Sequence, residues 1–137
     1  MDTFEILSQL CSAAGVSGAE GSAAEAAAKL LEEYGEVTLD NALGSVICKV
    51  GSWEDGKPVM LLDAHIDEIG MIVTYIREDG FLKISGCGGL DTRLLLAQQV
   101  TVYGREKLTG IVTSTPPHLE KDSSDAPELD SVFIDIG

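Results

Sequence analysis

Positive charge is scarce in this chain. Nine Lys and Arg residues stand against 23 Asp and Glu, a formal net charge of −14 over 137 residues. A surface of that sign repels phosphate backbones, which excludes nucleic-acid binding as a ready function. It equally disfavours an anionic membrane surface. Aromatic residues make up 5% of the chain, too few for the platforms on which sugar rings stack. Cysteine is confined to Cys11, Cys48 and Cys87. The odd number, the wide spacing and the lack of any CxxC exclude a disulfide framework and a zinc knuckle. Buried or inert thiols in a reducing compartment are expected instead. No apolar run approaches the length of a membrane span. The start, Met1-Asp2-Thr3-Phe4-Glu5, lacks the basic segment of a signal peptide. A cytoplasmic location is the expectation. At 45% hydrophobic residues, the chain can bury a core as one domain or two small pieces.

Asp2-x-x-Glu5 has the spacing of a capping box. Phe4, Leu7, Leu10, Cys11 and Ala14 then recur at helical spacing, predicting an amphipathic helix over 3–14. Ser22-x-x-Glu25 is a second capping box. Ala23 through Tyr34 is rich in helix formers and Gly35 offers a stop, with Leu30, Leu31 and Tyr34 expected in the core. Strand texture follows at Glu36–Asp40 and Ser45–Val50, joined by a turn at Asn41-Ala42-Leu43-Gly44. A polar loop with Trp53 leads to a third expected strand, Pro58–Ala64. Its nearly continuous apolar character suggests burial on both faces.

The texture changes near residues 67–71. Met71–Ile76 and Phe81–Ser85 flank the hairpin signal Glu78-Asp79-Gly80. A glycine-rich bend, Gly86-Cys87-Gly88-Gly89, precedes a single helical turn at Asp91–Leu95. Gln99–Tyr103, Leu108–Ser114 and Val132–Ile136 read as further strands, with Val132, Ile134 and Ile136 on one face. Pro116-Pro117 must leave the ladder, and Glu120–Glu128 is a polar loop. Short strands at this density predict a small β-barrel.

The chemistry concentrates at Leu61-Leu62-Asp63-Ala64-His65-Ile66-Asp67-Glu68. An apolar run ends there in a His-x-Asp pair and a second carboxylate. Open α/β sheets present their functional groups at strand C-terminal ends. Residues two apart share one face of an extended strand, so Asp67 can orient His65 while His65 binds a metal. From this pair alone, a hydrogen-bonded structural histidine and a metal ligand both remain open. A metal needs three or four ligands, and the second histidine, His118, lies far along the chain in the proline segment. Other chemistries find less support. Gly86-x-Gly88-Gly89 lacks G-x-G-x-x-G spacing, and no G-x-S-x-G elbow occurs. Cys87 has no histidine placed by sequence to activate it, so it reads as a small residue in a bend. Asp91 and Arg93 have the spacing of a surface ion pair.

The segment Ala64-His65-Ile66-Asp67-Glu68-Ile69-Gly70-Met71-Ile72-Val73 resembles the signature of the tetrahedral-aminopeptidase (glutamyl aminopeptidase) family of dinuclear metallopeptidases. The resemblance continues through Gly88-Gly89-Leu90-Asp91-Thr92-Arg93, Gln98–Val102, Gly110-Ile111-Val112, Pro116-Pro117-His118-Leu119 and Phe133–Gly137. Upstream, Gly15–Glu20 and Asp40–Gly44 fit the same pattern.

The resemblance implies an α/β fold. Residues 1–67 would begin a zinc-peptidase-like catalytic domain, and 68–137 would form most of an inserted β-barrel domain that drives dimerisation. It implies His65 as ligand of one metal and Asp67 as the catalytic-site aspartate that orients it. Two divalent metal ions, zinc or cobalt, would activate a water for attack on the first bond of a peptide with a free N-terminus. Homo-oligomerisation through the β domain is implied as well. The family's bridging aspartate, its Glu-Glu pair, a further carboxylate and its final histidine lie beyond the point matching Gly137. The 137 residues alone are therefore expected to be inactive, and the ending within or just after a strand suggests an interrupted protein. Two alternatives stand beside this: an assembly module without catalysis, and an endoglucanase-type hydrolase, a label some family members carry.

Overall fold

The first helix, α1, runs Thr3–Ser12 with Asp2 as N-cap. The expected capping box is present: the Glu5 carboxylate accepts the Asp2 backbone N–H at 3.2 Å. This is a computed structural model, and it describes residues 2–40, 42–115 and 127–137. Asn41, His118, the Pro116-Pro117 pair and most of the 120–128 loop lie outside the described residues. The chain divides into two compact units, Met1–Glu68 and Ile69–Gly137.

In the first unit α2 runs Gly21–Leu31 and packs on α1 and on a β-hairpin. It starts before the predicted Ser22 cap, with Glu20 at the N-cap. It also stops three residues short of Tyr34, which is exposed. The buried face is Ala23, Ala24, Ala28 and Leu30, and its three alanines are small enough to let neighbouring backbone approach. Gly35 belongs to this approach: a β-carbon there would collide with the Lys49 carbonyl. On α1, Ile6 and Leu10 are half-buried while Phe4, Leu7 and Cys11 are exposed, so the expected apolar stripe is rotated. Cys11 is thus a free, exposed thiol and not a buried one, whereas Cys48 and Cys87 are half-buried.

The hairpin pairs β1 (Glu36–Leu39) with β2 (Val46–Lys49) in register Glu36↔Lys49 to Leu39↔Val46. Its turn is held by Asp40, whose carboxylate accepts the N–H groups of Ala42 at 3.0 Å and Leu43 at 3.3 Å. An aspartate that bonds the backbone just ahead of it builds a turn by itself. Trp53 is exposed, with the Lys49 ammonium 5.5 Å from its ring centre.

The expected strand at Pro58–Ala64 is not formed. Those residues carry no ladder, and Met60, Leu61 and Leu62 are 85%, 84% and 87% exposed. A strand is stabilised by a neighbour's backbone and by cover on its faces. Among the described residues of this unit, no segment supplies either.

The second unit is a five-stranded, wholly antiparallel sheet. Its strands are β3 (Gly70–Ile76), β4 (Leu82–Cys87), β5 (Gln99–Tyr103), β6 (Lys107–Ser114) and β7 (Val132–Asp135). They lie in the order β3-β4-β7-β6-β5. The last strand in sequence is therefore the middle one in space. The β3–β4 turn closes at Gly80, whose N–H donates to the Arg77 carbonyl at 3.0 Å. The core gathers Leu82, Ile84, Val112, Val132 and Ile134, with Met71, Val100 and Ile136 packed against it. Gly110 on β6 leaves room for Ile134; a β-carbon there would strike its methyl group. Barrel closure requires the outer strands to share a ladder. Among the described residues the outer strands β3 and β5 share no ladder.

Candidate active-site residues

Ile66, Asp67 and Glu68 end the unpaired apolar segment, and a loop between the helices fixes their position. Val16 and Glu68 form an isolated parallel bridge. The Glu68 N–H donates to the Gly15 carbonyl at 2.8 Å, and the Ser17 N–H to the Glu68 carbonyl at 3.3 Å. The Glu68 carboxylate accepts the Gly15 N–H at 3.2 Å. Glu68, the second carboxylate of the signature, is thus engaged in holding two backbones together.

Asp67 sits between two side-chain partners. Its Oδ2 accepts the Ser17 hydroxyl at 2.5 Å, and its Oδ1 is 3.1 Å from His65 Nδ1. The Asp67 carbonyl oxygen lies at 3.1 Å from the same nitrogen. The bond from Ser17, then that from His65, hold the Asp67 carboxyl below its ordinary range. With Nδ1 donating to Asp67, His65 Nε2 carries the free lone pair. The imidazole itself is 87% exposed. An oriented imidazole with its far nitrogen free and its near nitrogen on a carboxylate is the usual arrangement of a metal-binding histidine.

The structure therefore brings His65 and Asp67 together as the spacing suggested. It adds Ser17, fifty residues upstream in the Gly15–Glu20 stretch of the family pattern, which spacing alone does not connect to Asp67. Among the described residues there is no cluster of three His, Cys, Asp or Glu side chains able to hold a metal ion. His65 fits as one ligand, and the remaining three or so that a divalent metal requires are not gathered by these residues. The Asp91–Arg93 pair is formed in the second unit. Arg93 Nε and Nη2 donate to the two carboxylate oxygens at 2.8 and 2.6 Å. Asp91 Oδ1 also accepts the Arg93 N–H at 3.1 Å, capping the short 3-10 turn Thr92–Leu94.

Residues 44–137 match the sequence pattern of the M42 glutamyl aminopeptidases. FrvX of Escherichia coli K12 is 36% identical over 98% of this chain, and the chain spans 38% of FrvX's own length. A TET aminopeptidase from a marine sediment thaumarchaeon superposes with a TM-score of 0.86 at 33% identity, covering 98% of this chain and 38% of that one. The TET1 peptidase of Pyrococcus horikoshii, which can assemble into a tetrahedron or a large octahedral shell, superposes at 0.83 and 31% identity over 99% of this chain and 41% of its own. With 94 of its 137 residues inside the family pattern, this chain belongs to the M42 glutamyl aminopeptidase family.

Proposed function

We propose that the whole protein is a metal-dependent aminopeptidase that removes the N-terminal residue of peptides. The observation that carries this reading is the His65–Asp67 pair, with Nδ1 tied to the carboxylate and Nε2 free, in a chain of this family. His65 would hold one of two divalent ions through Nε2, and Asp67 would fix the ring's tautomer and direction. The bound ions would supply an activated water near neutral pH. Zinc and cobalt both suit a mixed imidazole and carboxylate ligand set. The first unit would be the start of the catalytic domain, and the second an inserted domain through which copies associate. The shell-forming TET1 peptidase supports association into a homo-oligomer. A net charge of −14 and the lack of any helix long and apolar enough to cross a membrane, among the described residues, fit a protein acting on peptides in solution.

The test is hydrolysis of a short peptide with a free N-terminus against the same peptide acetylated, by the full protein loaded with zinc or cobalt. Cleavage of the free peptide alone is expected, lost on chelation and on His65→Ala. The 137 residues by themselves should be inactive, since His65 is the lone imidazole their described part contributes. Equal cleavage of the acetylated peptide would refute exopeptidase action. Activity untouched by His65→Ala would remove the histidine from the mechanism.

A further inference from the structure

The hydroxyl of Ser17 is an exposed group that nonetheless makes a 2.5 Å bond to Asp67 Oδ2. It is not placed there by chance of a flexible side chain. The backbone of Gly15 and of Ser17 itself is locked to Glu68, just after Asp67, by the parallel bridge at Val16 and Glu68. The Ser17 N–H donates to the Glu68 carbonyl, and the Gly15 carbonyl and N–H engage the Glu68 N–H and carboxylate. Four hydrogen bonds therefore tie residues 15–17 to residues 67–68. Asp67 would otherwise rotate freely at the end of an exposed segment without secondary structure. With one oxygen held by Ser17, its other oxygen faces His65 Nδ1 at 3.1 Å.

We infer that Ser17 is a positioning residue of this site. It acts through Asp67 to orient the His65 imidazole and to keep Nε2 the free, ligand-bearing nitrogen. The inference rests on the reading of His65 as a metal ligand. Partners once removed from a ligand typically change metal affinity by about 10–100-fold. Ser17 is one bond further out, so an effect near the bottom of that range, roughly tenfold, is expected.

The test uses the full protein and measures affinity for Co²⁺ by chelator competition, together with the visible absorption spectrum of the cobalt-loaded form. Ser17→Thr keeps the hydroxyl; Ser17→Val has nearly the same shape without it. The expected result is wild-type affinity and spectrum for Ser17→Thr. Ser17→Val should bind roughly tenfold more weakly and show a shifted cobalt spectrum, with the melting temperature of the metal-free protein equal in the two variants. A role confined to the fold would move the melting temperature and leave the spectrum alone. His65→Ala separates the two ideas. If it leaves cobalt affinity unchanged, the metal-ligand reading itself fails. If it lowers affinity while Ser17→Val and Ser17→Thr bind alike, His65 is a ligand and Ser17 does not position it. If Ser17→Val does not fold but Ser17→Thr does, Ser17→Ala, which removes the hydroxyl without adding bulk, decides: wild-type cobalt affinity there would overturn the inference, and a roughly tenfold loss with a shifted cobalt spectrum would uphold it.

Discussion

At the scale of single residues, each unit holds a carboxylate with both oxygens engaged, shared between two residues in one case and given to a single residue in the other. Asp67 divides them between Ser17 and His65. Asp91 offers both to Arg93, side chain and backbone. The Arg93 guanidinium hydrogen bond, its backbone N–H and its charge hold the Asp91 carboxyl below the usual carboxylate range. The direction fixes a pH dependence. A carboxyl with a depressed folded pKa stabilises the fold fully above its unfolded value, near 3.9. That stabilisation is lost as the pH falls through the lower, folded value. An NMR titration of the Asp91 carboxyl should therefore give a midpoint below that of an unpaired aspartate. Arg93→Ala should raise it toward the ordinary range, with the backbone N–H bond at residue 93 still holding it part of the way down. The pair is exposed, so its effect on stability is small. His-x-Asp was legible from sequence because alternation along an extended segment puts both residues on one side. Ser17 was not legible, because a contact across fifty residues leaves no periodic trace.

Elements whose signals are local formed where the pattern put them. The Asp2–Glu5 cap, the Asp40 turn, the hairpin at Gly80 and strand β5 at Gln99–Tyr103 each depend on residues within a few positions of one another. Elements defined by distant partners were harder to place. Pro58–Ala64 has the composition of a buried strand but lacks a ladder, since composition reports a capacity to be buried and not the presence of a neighbour. The order β3-β4-β7-β6-β5 could not be read from the pattern either, because nothing local says that β7 slots between β4 and β6. That central position makes β7 sensitive. Ile134 is 4% exposed, pairs with Leu82 on one side and Val112 on the other, and sits over Gly110. Ile134→Ala should destabilise the second unit by about 2–5 kcal/mol, the usual cost of emptying a buried isoleucine site. A lowered urea midpoint would show it; a midpoint unchanged from wild type would mean that β7 is not the centre of this sheet.

For the whole molecule, sequence and fold agree on the family, and the chain covers 38% of the length of FrvX. Composition limited the partners by charge, but charge says nothing of the reaction. The reaction rests on one oriented imidazole. No group of three candidate ligand side chains occurs among the described residues, so the proposed function depends on whether His65 holds metal in the full protein. The most direct measurement is the metal content of the purified full protein and of its His65→Ala variant after dialysis against zinc, read by elemental analysis. Two ions per chain are expected in the wild type and at most one in the variant, with the fold intact by circular dichroism. Equal metal content in the two proteins would contradict the proposed role of His65.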